Sequence, residues 1–370
     1  MNQAATIIGC EHFDRELQFF CEDVGMKVAM ISPADNPHTA VVSGFGTQIE
    51  LTTKGGHGPG TVRVRMDDPE QAPHKLRSPG GTLIIFELAA PAIPKAQPFF
   101  EMSRPGKDLE LTPGRAGMEY RDLLTKRQGG RFVASTITIK DPGPVNDYVH
   151  YHLVRYQMIY CRRGWVKVVY EDQGPALRLT PGDFVTQPPG IRHQVLESSG
   201  ELQVVELGCP AIHPTYTAPG FELPNIGKEP APAPPAIAER FGGQEFVHHK
   251  AAEEEWEPSE FPGFEMAGTA VAGATSDMVG VRTLKATANP AHGVDTTSGS
   301  DDSEPVYSPS ASELLFVYIL AGSAELRRPG GERVPVGADV AMTFTPRKPF
   351  ELVAPSPGFK VLEVAMPAGS

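Results

Sequence analysis

The chain has 370 residues, 40% hydrophobic and 21% charged, a globular composition long enough for two or three domains. Its formal net charge of -12 repels phosphate backbones and argues against nucleic acid as a partner. It contains no apolar run of about 18 residues, the length a membrane span needs. Gly and Pro number 38 and 37, a mixture that helices avoid and that turn-rich barrels tolerate. The four cysteines (Cys10, Cys21, Cys161, Cys209) lack CxxC spacing and read as reduced thiols. The N-terminus, MNQAATIIGCEHFDRELQ, has neither a basic nor an apolar signal region, so a cytoplasmic protein is expected.

Taken in chain order, residues 1–95 read as a small α+β block of order βαβββ. ATIIGC is a strand, FDRELQFFCEDVG a helix, and MKVAMISP, HTAVVSG and TQIELTT are strands. Leu17, Phe20 and Val24 recur at helical spacing, and Gly25 stands where a C-cap belongs. This order, with its FF..VGMKV phrase, resembles one module of the glyoxalase-like vicinal oxygen chelate superfamily. The resemblance implies modules that work in pairs, and an unpaired one leaves an open sheet edge, which predicts a homodimer. The first strand, at Thr6–Ile8, offers no metal ligand and Glu50 stands alone, so a structural or dimerising role is expected for this block.

Residues 96–216 begin with a Pro-rich connector and continue as short strands rich in β-branched and aromatic residues: GRFVASTITIK, VHYHLV, YQMIYC, WVKVVYED, ALRLT, DFVTQP, HQVLES and LQVVELG. Breaks at Gly, Pro and Asp make this the pattern of a sandwich or jelly roll. Residues 217–240 are proline-rich and read as a linker. Residues 241–370 repeat the barrel pattern, which suggests an internal duplication.

The chemistry lies in the second block. His150-Tyr151-His152 is followed by four residues, Gln157, six residues and Gly164; later come Gly182, five residues, Pro188-Pro189-Gly190, two residues and His193. Alternate strand residues share a face, so His150 and His152 point the same way, and Gln157 can meet them from the next strand. Pro189-Gly190 supplies the turn that brings His193 back. Three neutral imidazoles inside a barrel suit Fe(II), Mn(II), Ni(II), Cu(II) or Zn(II) and leave coordination positions open.

These residues resemble the two signature motifs of the cupin superfamily, with every spacing met. The resemblance implies a mainly β fold of two cupin double-stranded β-helix barrels, preceded by the glyoxalase-like domain. It carries His150, His152 and His193 over as metal ligands. Gln157 stands where the family has Glu, and Gly143 stands one residue out of register. A neutral amide in place of a carboxylate makes the metal more Lewis acidic and its binding looser. On the same frame the third block has Ser308, Ser310, Leu315 and Lys348 at the four ligand positions, so its metal centre is expected to be erased.

Around the ligands the sequence offers Arg131, Tyr148, Arg155, Tyr160, Gln187, Arg192 and Gln194. Arg155 is the candidate clamp for a substrate carboxylate or enolate. Tyr148 is the candidate catalytic acid or base, with Glu197 beside it. Tyr160 should point away from the Gln157 face, and Met158 and Trp165 read as core. His248-His249, before AAEEEWEP, reads as solvated surface, and His12, His38, His57, His74, His213 and His292 stand in no metal frame.

The expected function is a metal-dependent cupin enzyme, Fe(II) first among its metals: a non-haem dioxygenase acting on a small phenolic, diketone or hydroxy-acid substrate. The alternatives are a non-redox lyase, isomerase or hydrolase, or a cupin that only binds small molecules.

Overall fold

The computed structural model describes residues 4–66, 75–88, 91–97, 99–104, 111–225, 227–228, 240–287, 306–307, 313–328, 332–344 and 350–367. The chain divides into two units, Met1–Ala90 and Pro91–Ser370.

The first unit has the expected βαβββ order. Strand Thr6–Gly9 pairs in parallel with Thr47–Thr52, followed outward by Thr39–Gly44 and Lys27–Ser32. The helix is α only over Phe13–Gln18, then widens to a π-turn at Phe19–Asp23. It buries Phe20 and Val24 against Ala40, Val42 and Leu51, and Gly25 ends it with φ +85°. A second small sheet follows, Thr61–Met66 parallel to Leu83–Leu88 with Lys75–Arg77 on the other side.

The second unit holds two barrels of the same plan. In the first barrel, strand Tyr156–Arg163 lies between Phe184–Thr186 and Leu202–Cys209, with Val133–Ile139 and Glu119–Asp122 beyond. The facing sheet contains Val166–Tyr170, His193–Ser199 and His150–Tyr151. In the second barrel, Leu314–Ala321 lies between Ala341–Thr343 and Lys360–Met366, with Gly280–Ala286 beyond. Both long strands carry a register shift near their ends, at Cys161/Arg163 and Ile319/Ala321.

The barrels exchange edge strands. His248–His249 extends the first barrel by pairing with Phe184 and Val185. Glu101–Ser103, which precedes the first barrel in the chain, extends the second by pairing with Ala341–Thr343. The expected solvated surface at His248–His249 is therefore a sheet edge: the His249 ring stacks on Phe184 at 4.7 Å. Each exchanged strand caps an edge that would otherwise expose unpaired backbone groups.

A shared apolar layer joins the barrels, built from Met158, Tyr160, Phe184 and Leu207 on one side and Phe316, Tyr318, Leu362 and Val364 on the other. Tyr160 does point away from its own barrel's interior, yet it is buried, because that outer face is covered by the second barrel. Met158 is core as expected. Trp165 is not: it is half-buried, with the Arg178 guanidinium 4.0 Å above its ring.

Candidate metal centre

His150 and His193 sit directly opposite one another on neighbouring antiparallel strands. His152 follows just past the end of its two-residue strand, and its ring centre lies 5.4 Å from that of His150 and 5.5 Å from that of His193. The turn at Pro188-Pro189-Gly190 forms as the sequence predicts: Gly190 has φ +76°, and its N–H donates to the His152 carbonyl at 2.8 Å. Among the described residues these three histidines form the one cluster of three or more His, Cys, Asp or Glu with donor atoms within 4.8 Å of one another.

The backbone sets the tautomers. Nδ1 of His150 lies 2.7 Å from the Tyr148 carbonyl, Nδ1 of His152 3.2 Å from the Pro214 carbonyl, and Nδ1 of His193 3.0 Å from the Ile191 carbonyl. A carbonyl only accepts, so each Nδ1 carries the proton and each Nε2 is the nitrogen with the lone pair, which at His150 accepts from Arg115. Burial holds all three rings neutral. His150 is pushed down to about 3, chiefly by desolvation and then by the Arg115 guanidinium. Desolvation likewise puts His152 and His193 well below the ordinary imidazole value, with the neighbouring imidazoles adding to it.

Gln157, the second residue of Tyr156–Arg163, lines the same cavity. Its Nε2 donates to Glu206 Oε1 at 2.7 Å, while its buried Oε1 has no hydrogen-bond partner among the described residues. An unpartnered buried carbonyl oxygen is costly unless something binds it, and a divalent cation beside three imidazoles fits that need. The residues present therefore suit a metal held by His150, His152 and His193, with the Gln157 oxygen as a further donor.

The cavity encloses about 630 Å³. One wall is apolar (Ile137, Ile139, Val166, Val168, Leu179, Val204), and the polar end carries the histidines, Gln157, Gln187, Glu206 and Arg115. Arg115 sits in a short turn, Arg115–Gly117. Its Nη2 lies 2.5 Å from His150 Nε2, and its Nη1 forms an ion pair with the fully buried Asp147 carboxylate. Asp147 also accepts from the Val195 N–H at 3.0 Å, which anchors the pair to the ligand strand. Tyr170 stacks on His193 with centroids 5.4 Å apart, and its hydroxyl accepts from Gln187 at 2.8 Å.

The other sequence candidates lie elsewhere. Arg155 does not line the cavity; it donates to Glu313 of the second barrel at 2.5 Å, beside Arg131 at 2.7 Å. It precedes the strand, its N–H bonded to the Cys209 carbonyl, so strand alternation does not govern its side chain. The Tyr148 side chain is 47% exposed and also lies off the cavity; what Tyr148 gives the centre is its backbone carbonyl. Glu197 is turned away by a bulge: Val168 pairs with Val195 but Lys167 pairs with Glu197, so Glu197 joins the exposed lysine outside. Arg192 pairs with Glu171, and Gln194 donates to the Asp147 carbonyl.

Sequence reasoning missed Arg115, Asp147, Tyr170, Glu206 and His213. His213 lines the cavity with its ring 5.1 Å from that of His152. Of these only Glu206 carried a sequence signal, as the one charged residue in the apolar run LQVVELG. In the second barrel Leu315 is buried core. Ser308, Ser310 and Lys348 lie outside the described residues, as do His74 and His292.

No protein-family model matches this sequence, and no curated protein matches it either. Solved structures do. The 11S globulin from Wrightia tinctoria aligns at TM-score 0.50 and 10% identity, over 74% of this chain and 84% of that one. Protein Ylba from E. coli aligns at 0.49 and 14%, over 73% and 93%. A deletion mutant of Bacillus subtilis oxalate decarboxylase aligns at 0.47 and 12%, over 70% and 75%. At such identities a likeness speaks for architecture alone. The strand order above, with the globulin alignment, supports one conclusion: the chain has the two-barrel cupin fold.

Proposed function

We propose that the first barrel is the active site of a metal-dependent enzyme, a non-haem dioxygenase that acts on a small chelating substrate such as a phenol, a diketone or a hydroxy acid. The observation that carries this reading is the set of three buried neutral imidazoles, each with its Nδ1–H held by a backbone acceptor, lining one cavity large enough for a small organic molecule. His150, His152 and His193, with Gln157, would hold a divalent ion, Fe(II) first among the candidates, which would supply Lewis acidity and redox chemistry toward oxygen.

The chain's own residues do the rest. The imidazoles and Gln157 are neutral donors, so the ion keeps its positive charge for anionic substrate oxygens. Arg115 takes the clamp role. A lone pair serves one partner, so with His150 Nε2 engaged as a ligand Arg115 Nη2 would need another acceptor. An anionic oxygen of the substrate meets that need, with Asp147 holding the guanidinium in place. The apolar wall takes the substrate's body and keeps water out.

A second reading, a non-redox lyase, isomerase or hydrolase, draws on the Glu206 carboxylate in the cavity wall, where a general base could act. Elemental analysis of the purified chain, followed by oxygen-electrode assays of the iron-loaded protein with phenolic, diketone and hydroxy-acid substrates, separates the two. Oxygen uptake with one of these substrates supports the dioxygenase; none with any of them hands the site to the second reading.

A further inference from the structure

We infer that Glu206 is a positioning residue for the metal centre: it orients the Gln157 amide so that the carbonyl oxygen is presented as a ligand, and it supplies from behind the amide the negative charge that a ligand carboxylate would supply directly. This inference rests on the metal-centre reading above.

An ionised carboxylate only accepts hydrogen bonds, so whichever end of the Gln157 amide faces Glu206 must be the NH2 end. That contact is 2.7 Å long. The second Glu206 oxygen accepts from Ser135 Oγ at 3.1 Å, so both carboxylate oxygens are occupied by neutral donors and the carboxylate is held in one orientation. The amide is thereby locked, and its oxygen is left buried, without a hydrogen-bond partner among the described residues, in the wall of the cavity that the histidines share. The negative charge polarises the amide and makes its oxygen a better donor to a cation.

The second barrel carries the same position in a different state. In the paired strands, Gln157 stands opposite Gly208 and Ile159 opposite Glu206; in the second barrel Leu315 stands opposite Ala365 and Val317 opposite Glu363. Glu363 is therefore the counterpart of Glu206. Its cross-strand neighbour is Arg282, where Glu206 has Ser135. Arg282 Nε lies 2.6 Å from Glu363, and the Tyr307 hydroxyl donates to the other oxygen. Where the amide has become Leu315, the carboxylate is neutralised by an arginine. Where the amide is present, the carboxylate faces only neutral donors and its charge is directed at the amide.

The test is Co(II) binding to the full chain, read as a dissociation constant by chelator competition and as the visible absorption spectrum, with the melting temperature of the metal-free protein as the check on folding. Glu206→Gln should weaken Co(II) binding roughly 10- to 100-fold and shift the spectrum, because an amide facing an amide no longer dictates which end of Gln157 meets the metal. The exchange Gln157→Glu with Glu206→Gln should recover most of that loss, since the amide at 206 can donate to a ligating carboxylate at 157. Wild-type affinity and spectrum in Glu206→Gln, with binding lost in His150→Ala, overturn the positioning role and leave the metal centre standing. Wild-type binding in His150→Ala removes the centre itself. Should Glu206→Gln not fold, the double exchange decides: folded and binding supports the pair, folded and not binding overturns it.

Discussion

In the first barrel, the strand position that begins the inner face is Gln157, and the interior beyond it is hollow. In the second, the matching position is Leu315, and the described residues of the interior pack on one another. Phe350 and Phe344 stack there with ring centres 3.3 Å apart, Tyr307 and Phe359 are fully buried, and Leu326, Leu352 and Val361 are buried in the same cluster. The two barrels share strand order, bulge position and even the buried Glu, so backbone architecture does not explain the difference. Side-chain volume and hydrogen-bond bookkeeping do. A barrel lined by imidazoles and amides cannot pack shut without stranding their polar atoms, whereas one lined by aromatic rings can. One barrel keeps a cavity, and the described residues of its neighbour contribute an apolar core and a shared apolar layer.

The largest expected effect tests where the chemistry lies. His150→Ala or His193→Ala should reduce metal content to background by elemental analysis, while a change in the second barrel leaves it untouched. Next comes the packed interior. Phe359→Ala should cost about 3–5 kcal/mol of stability in chemical denaturation, because the void cannot relax in a close-packed barrel. Leu179→Ala, in a wall that already borders a cavity, should cost less, about 2 kcal/mol.

Removing one partner of the buried pair in the second barrel comes third. Arg282→Ala leaves Glu363 uncompensated and should cost about 3 kcal/mol by the same assay, without loss of metal. Arg115→Ala in the first barrel likewise leaves the buried Asp147 carboxylate without its cation and should cost stability of the same order. Catalytic efficiency with an anionic substrate should also fall about tenfold or more, the worth of a hydrogen bond to a charged group.

The smallest effect is a pH dependence of the metal-free chain. His150 titrates near 6.5 when exposed and is pushed down to about 3 when folded. Between these values the unfolded chain binds the proton and the folded chain does not, so stability is full above about 6.5 and falls as pH drops toward 3. His150→Gln should flatten part of that slope in melting curves taken across this range.

Much of the centre was legible without coordinates because its grammar is local. The HxH pair, the Pro-Pro-Gly turn and the Gln at fixed spacing are properties of one strand, one turn and the next strand, and they predicted which side chains would meet. Alternation failed where the backbone departs from a regular strand. Arg155 lies before the strand starts, and Glu197 follows a bulge; in both cases the side chain goes where tertiary contacts draw it. Arg115 and Glu206 were hidden for a different reason. Each reaches the centre from a strand or turn far away in sequence, 35 residues from His150 for Arg115 and 49 from Gln157 for Glu206.

By itself, then, the sequence determined the duplication, the choice of barrel for the histidines and the loss of Gln157's counterpart at Leu315, since these depend on residue type and short spacing. The tertiary structure alone decided which cation guards the cavity, which carboxylate backs the amide, which edge strands the barrels exchange and which aromatic rings pack together in the second interior. Those features depend on how closed sheets bring distant side chains to one place, and on whether the volumes that meet there leave a gap.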